Sequence, residues 1–203
     1  WVVRHGQSML NAAERMQGWS DAPLTPLGRD QAAARGLDFA AAGIRFDAAF
    51  SGDGIRHRET AARLLDAAGS GLQASSDPRW RELCFGGLEA VRARRFVRLM
   101  QAHVAADNPF FATLDALAEQ DPLAESPADV ARRATEALHD VAGAGSEVLV
   151  VTSGITILTL LHGLGADLSH LTIGPENLSV STVLRVDDGW RVDRAAMPDP
   201  VAV

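Results

Sequence analysis

Short unbroken apolar runs alternate with longer stretches of helical period along this chain. Trp1-Val2-Val3 reads as a buried strand that ends at Arg4 and delivers Arg4-His5-Gly6 to its carboxyl end. Residues 6–24 carry glycine and polar positions without periodicity and read as a loop. Thr25-Pro26 opens a helix, threonine as N-cap and proline at the first helical position, and the pattern runs to about Gly43. Asp47 to Phe50 predicts a second strand, Ser51 to Gly54 a turn, and Arg56 to Ala68 a helix with the stripe Ala61, Leu64, Leu65, Ala68. Glu89 to Ala142 is helical in pattern, with breaks near Asn108-Pro109, Asp121-Pro122 and Pro127. Val148 to Val151 predicts a fully buried strand, Ile155 to Leu164 a helix, and Leu178 to Val186 with Trp190 to Ala195 a hairpin turning at Asp188-Gly189. The rhythm predicts an α/β fold: a three-layer αβα sandwich with a mainly parallel sheet and right-handed crossovers. The helical insert, about residues 89–142, is expected to lie over the carboxyl edge of the sheet, where ligands of such folds gather.

With 203 residues, 47% of them hydrophobic, and no compositional break, one domain over residues 1–203 is expected. Cys84 is the only cysteine, which excludes an intrachain disulfide framework, and no Cys/His ligand spacing points to a structural zinc site. The formal charge of −7 argues against a general nucleic-acid or membrane-surface role, because such binding needs clustered cations. The longest apolar stretches are about half a membrane-spanning length, and the first residues lack a basic-then-apolar signal pattern, so a cytoplasmic protein is expected. The chain opens on Trp1, inside the strand expected there, and a few upstream residues are expected. All 19 basic residues are arginine and tyrosine is absent, a compositional bias that carries no mechanism.

Arg-His-Gly alone is a weak signal, and its context raises it. The run Arg4-His5-Gly6-Gln7-Ser8 with Asn11 is followed by Gly18-Trp19, Asp21 and Leu24-Thr25 with Gly28. Ser51 is followed by Arg56 and Glu59-Thr60-Ala61, and Arg81-Glu82-Leu83 by Phe85-Gly86-Gly87 and Glu89. Glu125-Ser126 with Arg133, and Asn177 with Ser179, complete the set. Across almost the whole chain this combination resembles the histidine phosphatase superfamily, in its phosphoglycerate-mutase-like branch. Phosphoryl transfer asks for positioning and for fixed positive charge around the equatorial oxygens. Arginine supplies that charge in a two-pronged fork, and the resemblance implies Arg4 and Arg56 as the clamp, with Asn11, Ser153 and Gly154 beside the phosphate. It also implies His5 as the nucleophile, a neutral imidazole that forms a phosphohistidine, and Glu82 as general acid, with Glu89 a second choice read as structural.

One position departs from the pattern. After the strand at Val148 to Val151 the resemblance implies a second histidine before a glycine, and this chain has Thr152-Ser153-Gly154. A serine donates one hydrogen bond and brings no charge, and losing one preorganised donor costs about 10² to 10³ in rate. His57 lies next to Arg56 but is expected to point elsewhere on its helix, His103 and His139 sit in helical segments, and spacing alone leaves His162 and His170 open. The Gly154 N–H, at a helix start, is placed to bind phosphate. Arg92, Arg94, Arg95 and Arg98 read as a solvated face of the inserted helix.

The expected function is a phosphomonoester phosphatase that uses no metal and no cofactor and acts on a small phosphorylated substrate. A long insert of the kind cofactor-dependent mutases carry is not evident, yet a mutase-type phosphotransferase stays open. So does a weakly active or inactive relative that binds a phosphorylated ligand, a reading that Ser153 motivates. Oligomeric state is open.

Overall fold

The computed structural model describes residues 1–168, 174–187 and 189–199. In chain order these form β1 (Val2–Arg4), α1 (Met9–Ala12), α2 (Pro26–Ala41), β2 (Ala48–Ser51), α3 (Ile55–Ala67) and β3 (Ser75–Ser76). Helices α4 (Ala93–Met100), α5 (Pro109–Gln120) and α6 (Pro127–Val141) follow, then β4 (Val148–Thr152), α7 (Gly154–Gly163), β5 (Val180–Val186) and β6 (Gly189–Met197). Three helices begin as their sequences demand, each with a capping side chain followed by proline: Thr25, Asn108 and Ser126 accept from Gly28, Phe111 and Asp129 N–H respectively. Helix α2 stops at Ala41, just before Gly43 takes the left-handed φ of 71°.

The strands make one sheet in the order β3-β2-β4-β1-β5-β6. Strands β3, β2, β4 and β1 run parallel, β5 is antiparallel to β1, and β6 is antiparallel to β5. Strand side chains alternate between faces, so each apolar run serves two cores. Val3, Leu149 and Val151 pack on Ala32 and Phe39 of α2 and on Ala61, Leu64 and Leu65 of α3. Val2 and Val150 face the opposite layer, with Ala134, Ala137, Leu138 and Val141 of α6 and Ile157, Leu160 and Leu161 of α7. This is the expected αβα sandwich.

The helical stretch of residues 89–142 divides between two jobs. Helices α4 and α5 join a third core of Leu83, Phe85, Leu88, Phe96, Leu114, Val130 and Ile155 at the carboxyl edge. Helix α6 belongs mainly to the sandwich, because Ala134, Ala137, Leu138 and Val141 share one face and that face is covered by the sheet and α7. The loop of residues 6–24 contains the four-residue helix α1, capped by Ser8, and the short strand β3 extends the sheet beyond β2. Of the hairpin turn at Asp188-Gly189, Gly189 opens β6 and Asp188 lies outside the described residues. Among the described residues no helix is long and apolar enough to cross a membrane.

Candidate active site

β1 ends between β4 and β5, and backbone bonds hold its end in place: His5 N–H donates to Thr152 O at 2.9 Å and Leu178 N–H to Arg4 O at 3.1 Å. Asn177 Nδ2 donates to the His5 carbonyl at 2.8 Å. Gly6 has no room for a side chain, since a Cβ there would lie 2.5 Å from the Gly28 carbonyl oxygen. Its N–H donates to Thr60 Oγ1 at 3.0 Å, and that hydroxyl donates to the Arg56 carbonyl at 2.7 Å, so the turn after β1 is stitched to α3. His5 is 3% exposed, with Nδ1 2.8 Å from the Gly6 carbonyl. A carbonyl oxygen only accepts, so Nδ1 carries the proton and the Nε2 lone pair is free. Burial first, then the charges of Arg56 and Arg4, hold the His5 pKa well below 6.5 against the Gly6 hydrogen bond. The imidazole is neutral at physiological pH.

Two guanidinium groups flank it. Arg56 is 2% exposed and donates through Nη2 to Gly18 O at 2.8 Å and through Nη1 to Ser20 O at 3.3 Å, with Asp21 Oδ1 3.7 Å away. Arg4 donates to the Pro175 carbonyl, and its Nε lies 3.5 Å from where a Cβ on Gly154 would stand. Among the described residues both Nε–H groups are buried without a partner. Unpaired buried donors are costly, and two on fixed cations beside a neutral imidazole make a site prepared for an anion.

Glu82, 6% exposed, is tied to the start of α7: its carboxylate accepts from Ile155 N–H at 3.0 Å, Thr156 N–H at 3.1 Å and Leu83 N–H at 2.9 Å. It is not a solvated partner of Arg79 or Arg81, which pair with Asp77 and Asp140 and with Asp53. Arg133 holds the Glu82 segment in place by donating to the carbonyls of Arg79, Arg81 and Glu82 and to Glu125. Glu89 organises the loop that anchors Arg56, accepting from the N–H groups of Gly18, Trp19 and Ser20 and of Phe85. Burial pushes the Glu89 pKa up, and these hydrogen bonds outweigh it and leave the group below the ordinary carboxylate range. Asn11 closes the capping box of α1 with Ser8, and among the described hydrogen bonds it reaches none of the other site residues.

His57 overturns an expectation. It points into the site: Nε2 lies 2.7 Å from Ser153 Oγ, and its ring centroid is 5.3 Å from that of His5 at an interplanar angle of 79°. The space exists because residues 52 and 54 are glycine; a Cβ on Gly52 would stand 2.6 Å from His57 Nδ1. Asp21 Oδ2 accepts Ile55 N–H at 2.7 Å and so sets the first turn of α3. The signal was present in the sequence as Gly-x-Gly just before Arg56-His57, together with a serine at position 153. The remaining described histidines stay away from the site: His139 and His162 are exposed, His103 is half-buried on the insert, and His170 lies outside the described residues. Arg92, Arg94, Arg95 and Arg98 are exposed on or beside α4. A cavity of about 170 Å³ opens among Trp19, Asp53, Arg56, His57 and Arg81, with the Arg81 guanidinium 4.8 Å above the Trp19 ring. Among the described residues no group of three or more His, Cys, Asp or Glu side chains is arranged to hold a metal ion.

The sequence profile of the histidine phosphatase superfamily (branch 1) matches residues 1–197. The chain belongs to this superfamily. A 2,3-bisphosphoglycerate-dependent phosphoglycerate mutase of Sinorhizobium fredii is 40% identical over 91 residues, 44% of this chain and 43% of that protein, so the match spans less than half of its length. The crystal structure of a phosphoglycerate mutase from Bacillus anthracis superposes with a TM-score of 0.85 at 28% identity, over 97% of this chain and 92% of that one. A mycobacterial glucosyl-3-phosphoglycerate phosphatase in complex with VO3 superposes with a TM-score of 0.72 at 26% identity, over 97% of each chain. Mutases and phosphatases thus both stand among the superfamily members that this chain is similar to.

Proposed function

We propose that this chain is a phosphomonoesterase that needs no metal and works through a phosphohistidine at His5 on a small phosphorylated metabolite. The observation that carries the reading is the neutral, buried His5, with Nδ1 held by the Gly6 carbonyl between two arginines whose Nε–H groups have no partner among the described residues. In this reading His5 Nε2 attacks phosphorus, and the ester oxygen departs with a proton from Glu82 while the P–N bond forms. Water then attacks the phosphohistidine, giving its proton to Glu82 as the P–N bond breaks, and inorganic phosphate leaves. Arg4 and Arg56 hold the equatorial oxygens throughout, with Asn11, Ser153 and the Gly154 N–H as further phosphate-facing groups.

The test is turnover of a chromogenic phosphomonoester in the presence of chelator, native chain against His5→Ala. Native turnover far above that of His5→Ala supports the reading, and acid-labile, base-stable radiolabel on the native chain identifies the phosphohistidine. Turnover indistinguishable from His5→Ala with orthophosphate still bound leaves a binding protein instead. The names of the mutase relatives favour a second reading, phosphoryl return to the substrate, and conversion of 3-phosphoglycerate to its 2-isomer is its signature.

A further inference from the structure

A buried histidine that no residue role above uses stands at the centre of this site. His57 is 1% exposed and lies on α3, immediately after the clamp arginine. Facing it are His5 just after β1, Arg56 of its own helix, Ser153 at the start of α7, and the Arg81 and Asp53 pair across the small cavity. Its contact with Ser153 restricts where protons sit. Arg56 Nη2, which only donates, lies 3.4 Å from Ser153 Oγ, and so takes one of the two lone pairs of that oxygen. If Ser153 gave its proton to His57 Nε2, the imidazole proton would sit on Nδ1, which is buried and has no partner among the described residues. An orphaned buried N–H is the rarer and costlier arrangement, so Nε2 carries the proton and donates to Ser153 Oγ. Both lone pairs of the serine are then engaged, and among the described hydrogen bonds its hydroxyl proton has no acceptor. Ser153 adjoins Gly154, against which the Arg4 guanidinium lies, and Arg56 reaches its hydroxyl, so the serine stands between the two arginines.

We propose that His57 and Ser153 form one composite phosphoryl-facing donor, in which His57 on α3 fixes the serine hydroxyl at the mouth of α7 and supplies the bulk that the serine lacks. Ser153 touches the phosphoryl group, and His57 is its positioning residue. This rests on the phosphate-handling reading of the site. It also changes the meaning of the serine: position 153 is not short of an imidazole, because the ring arrives from another helix. A histidine added at 153 therefore meets an occupied space.

The test is a double-mutant cycle on the full chain with Ser153→Ala, His57→Ala and the double variant, read as kcat on a chromogenic phosphomonoester and as orthovanadate affinity by calorimetry. The expected result is a loss of about 10² to 10³ in kcat for Ser153→Ala and a comparable loss for His57→Ala, the size of one preorganised donor. The double variant should be no worse than the poorer single, because both changes remove the same donor. His57→Gln, which keeps an N–H and most of the bulk, should recover part of the loss, whereas a purely structural role would move melting temperature and leave this coupling absent. The exchange His57→Ala with Ser153→His should be faster than Ser153→His alone, since it empties the space that the new ring needs. Losses that multiply in the double variant, or a His57→Ala chain with native kcat and native vanadate affinity, would overturn the proposal. If the native chain turns over no faster than His5→Ala, the phosphatase reading falls, and the vanadate cycle still decides the donor pair.

Discussion

Acidification probes the two buried imidazoles directly. His5 and His57 are both held well below 6.5, by burial first and next by the Arg56 charge, so the folded chain refuses protons that the unfolded chain accepts near pH 6.5. The stability they contribute is complete above the unfolded pKa and is lost as pH falls below it. Between pH 7.5 and 5.5 the unfolded-state protonation of one such histidine is worth about 1.4 kcal/mol, and of the pair about 2.7 kcal/mol. In a domain of this size that corresponds to a melting temperature lower by about 5 to 11 °C. Asp53, Asp77 and Glu89 are held below their ordinary values and lose their contributions only in a more acidic window, so the two effects separate. Urea unfolding at pH 7.5, 6.5 and 5.5 on the native chain, His5→Asn and His57→Asn isolates the histidine share, because other titrating groups cancel in the differences. Each variant should show a pH-dependent loss smaller than the native by about 1.4 kcal/mol. If both variants keep the full native loss, neither imidazole is held uncharged by the fold, and the proposal of His5 as a neutral nucleophile fails with it.

Three further outcomes follow from contacts at the site. Gly18→Ala places a methyl group onto Glu89 Oε1 and the Leu83 carbonyl, so stability should fall by about 1 to 3 kcal/mol and activity with it, and an unchanged melting curve would contradict the packing. Arg133→Met keeps the aliphatic stem but takes the cation from Glu125, which keeps only the Cys84 N–H, and leaves the Arg79 carbonyl unpaired, while the Arg81 and Glu82 carbonyls keep Thr156 and Trp19; chemical denaturation should register about 1 to 3 kcal/mol, and no measurable change would show the network to be dispensable. Thr60→Val orphans the Gly6 N–H, costing about 1 to 3 kcal/mol, and because it loosens the turn that carries His5 it should lower kcat more than it raises KM in steady-state kinetics.

What the sequence determined by itself was local or repeated. The buried runs at Val2-Val3 and Val148 to Val151 named their strands, and Thr25-Pro26 with its glycine three residues on named a helix start, because propensity and capping act within a few residues. The placement of Arg4 and His5 was legible for the same reason, since they sit at the end of a strand whose burial is written in its own composition, whereas the roles proposed for them came from the resemblance. The double use of residues 89–142 was not legible, since a helical stripe says which face is buried and not what covers it; only packing separated α4 and α5, at the edge, from α6 in the sandwich. Glu82 could be picked out as a carboxylate, whereas its hold on the first amides of α7 depends on a contact 73 residues away. His57 is the sharpest case. Read along its helix it is one residue past an arginine and was expected to point elsewhere, and the ring finds its place because two glycines on one loop and a small side chain on a different strand-helix junction leave room between them. Such a hole is a property of three segments meeting, and no one of them encodes it alone.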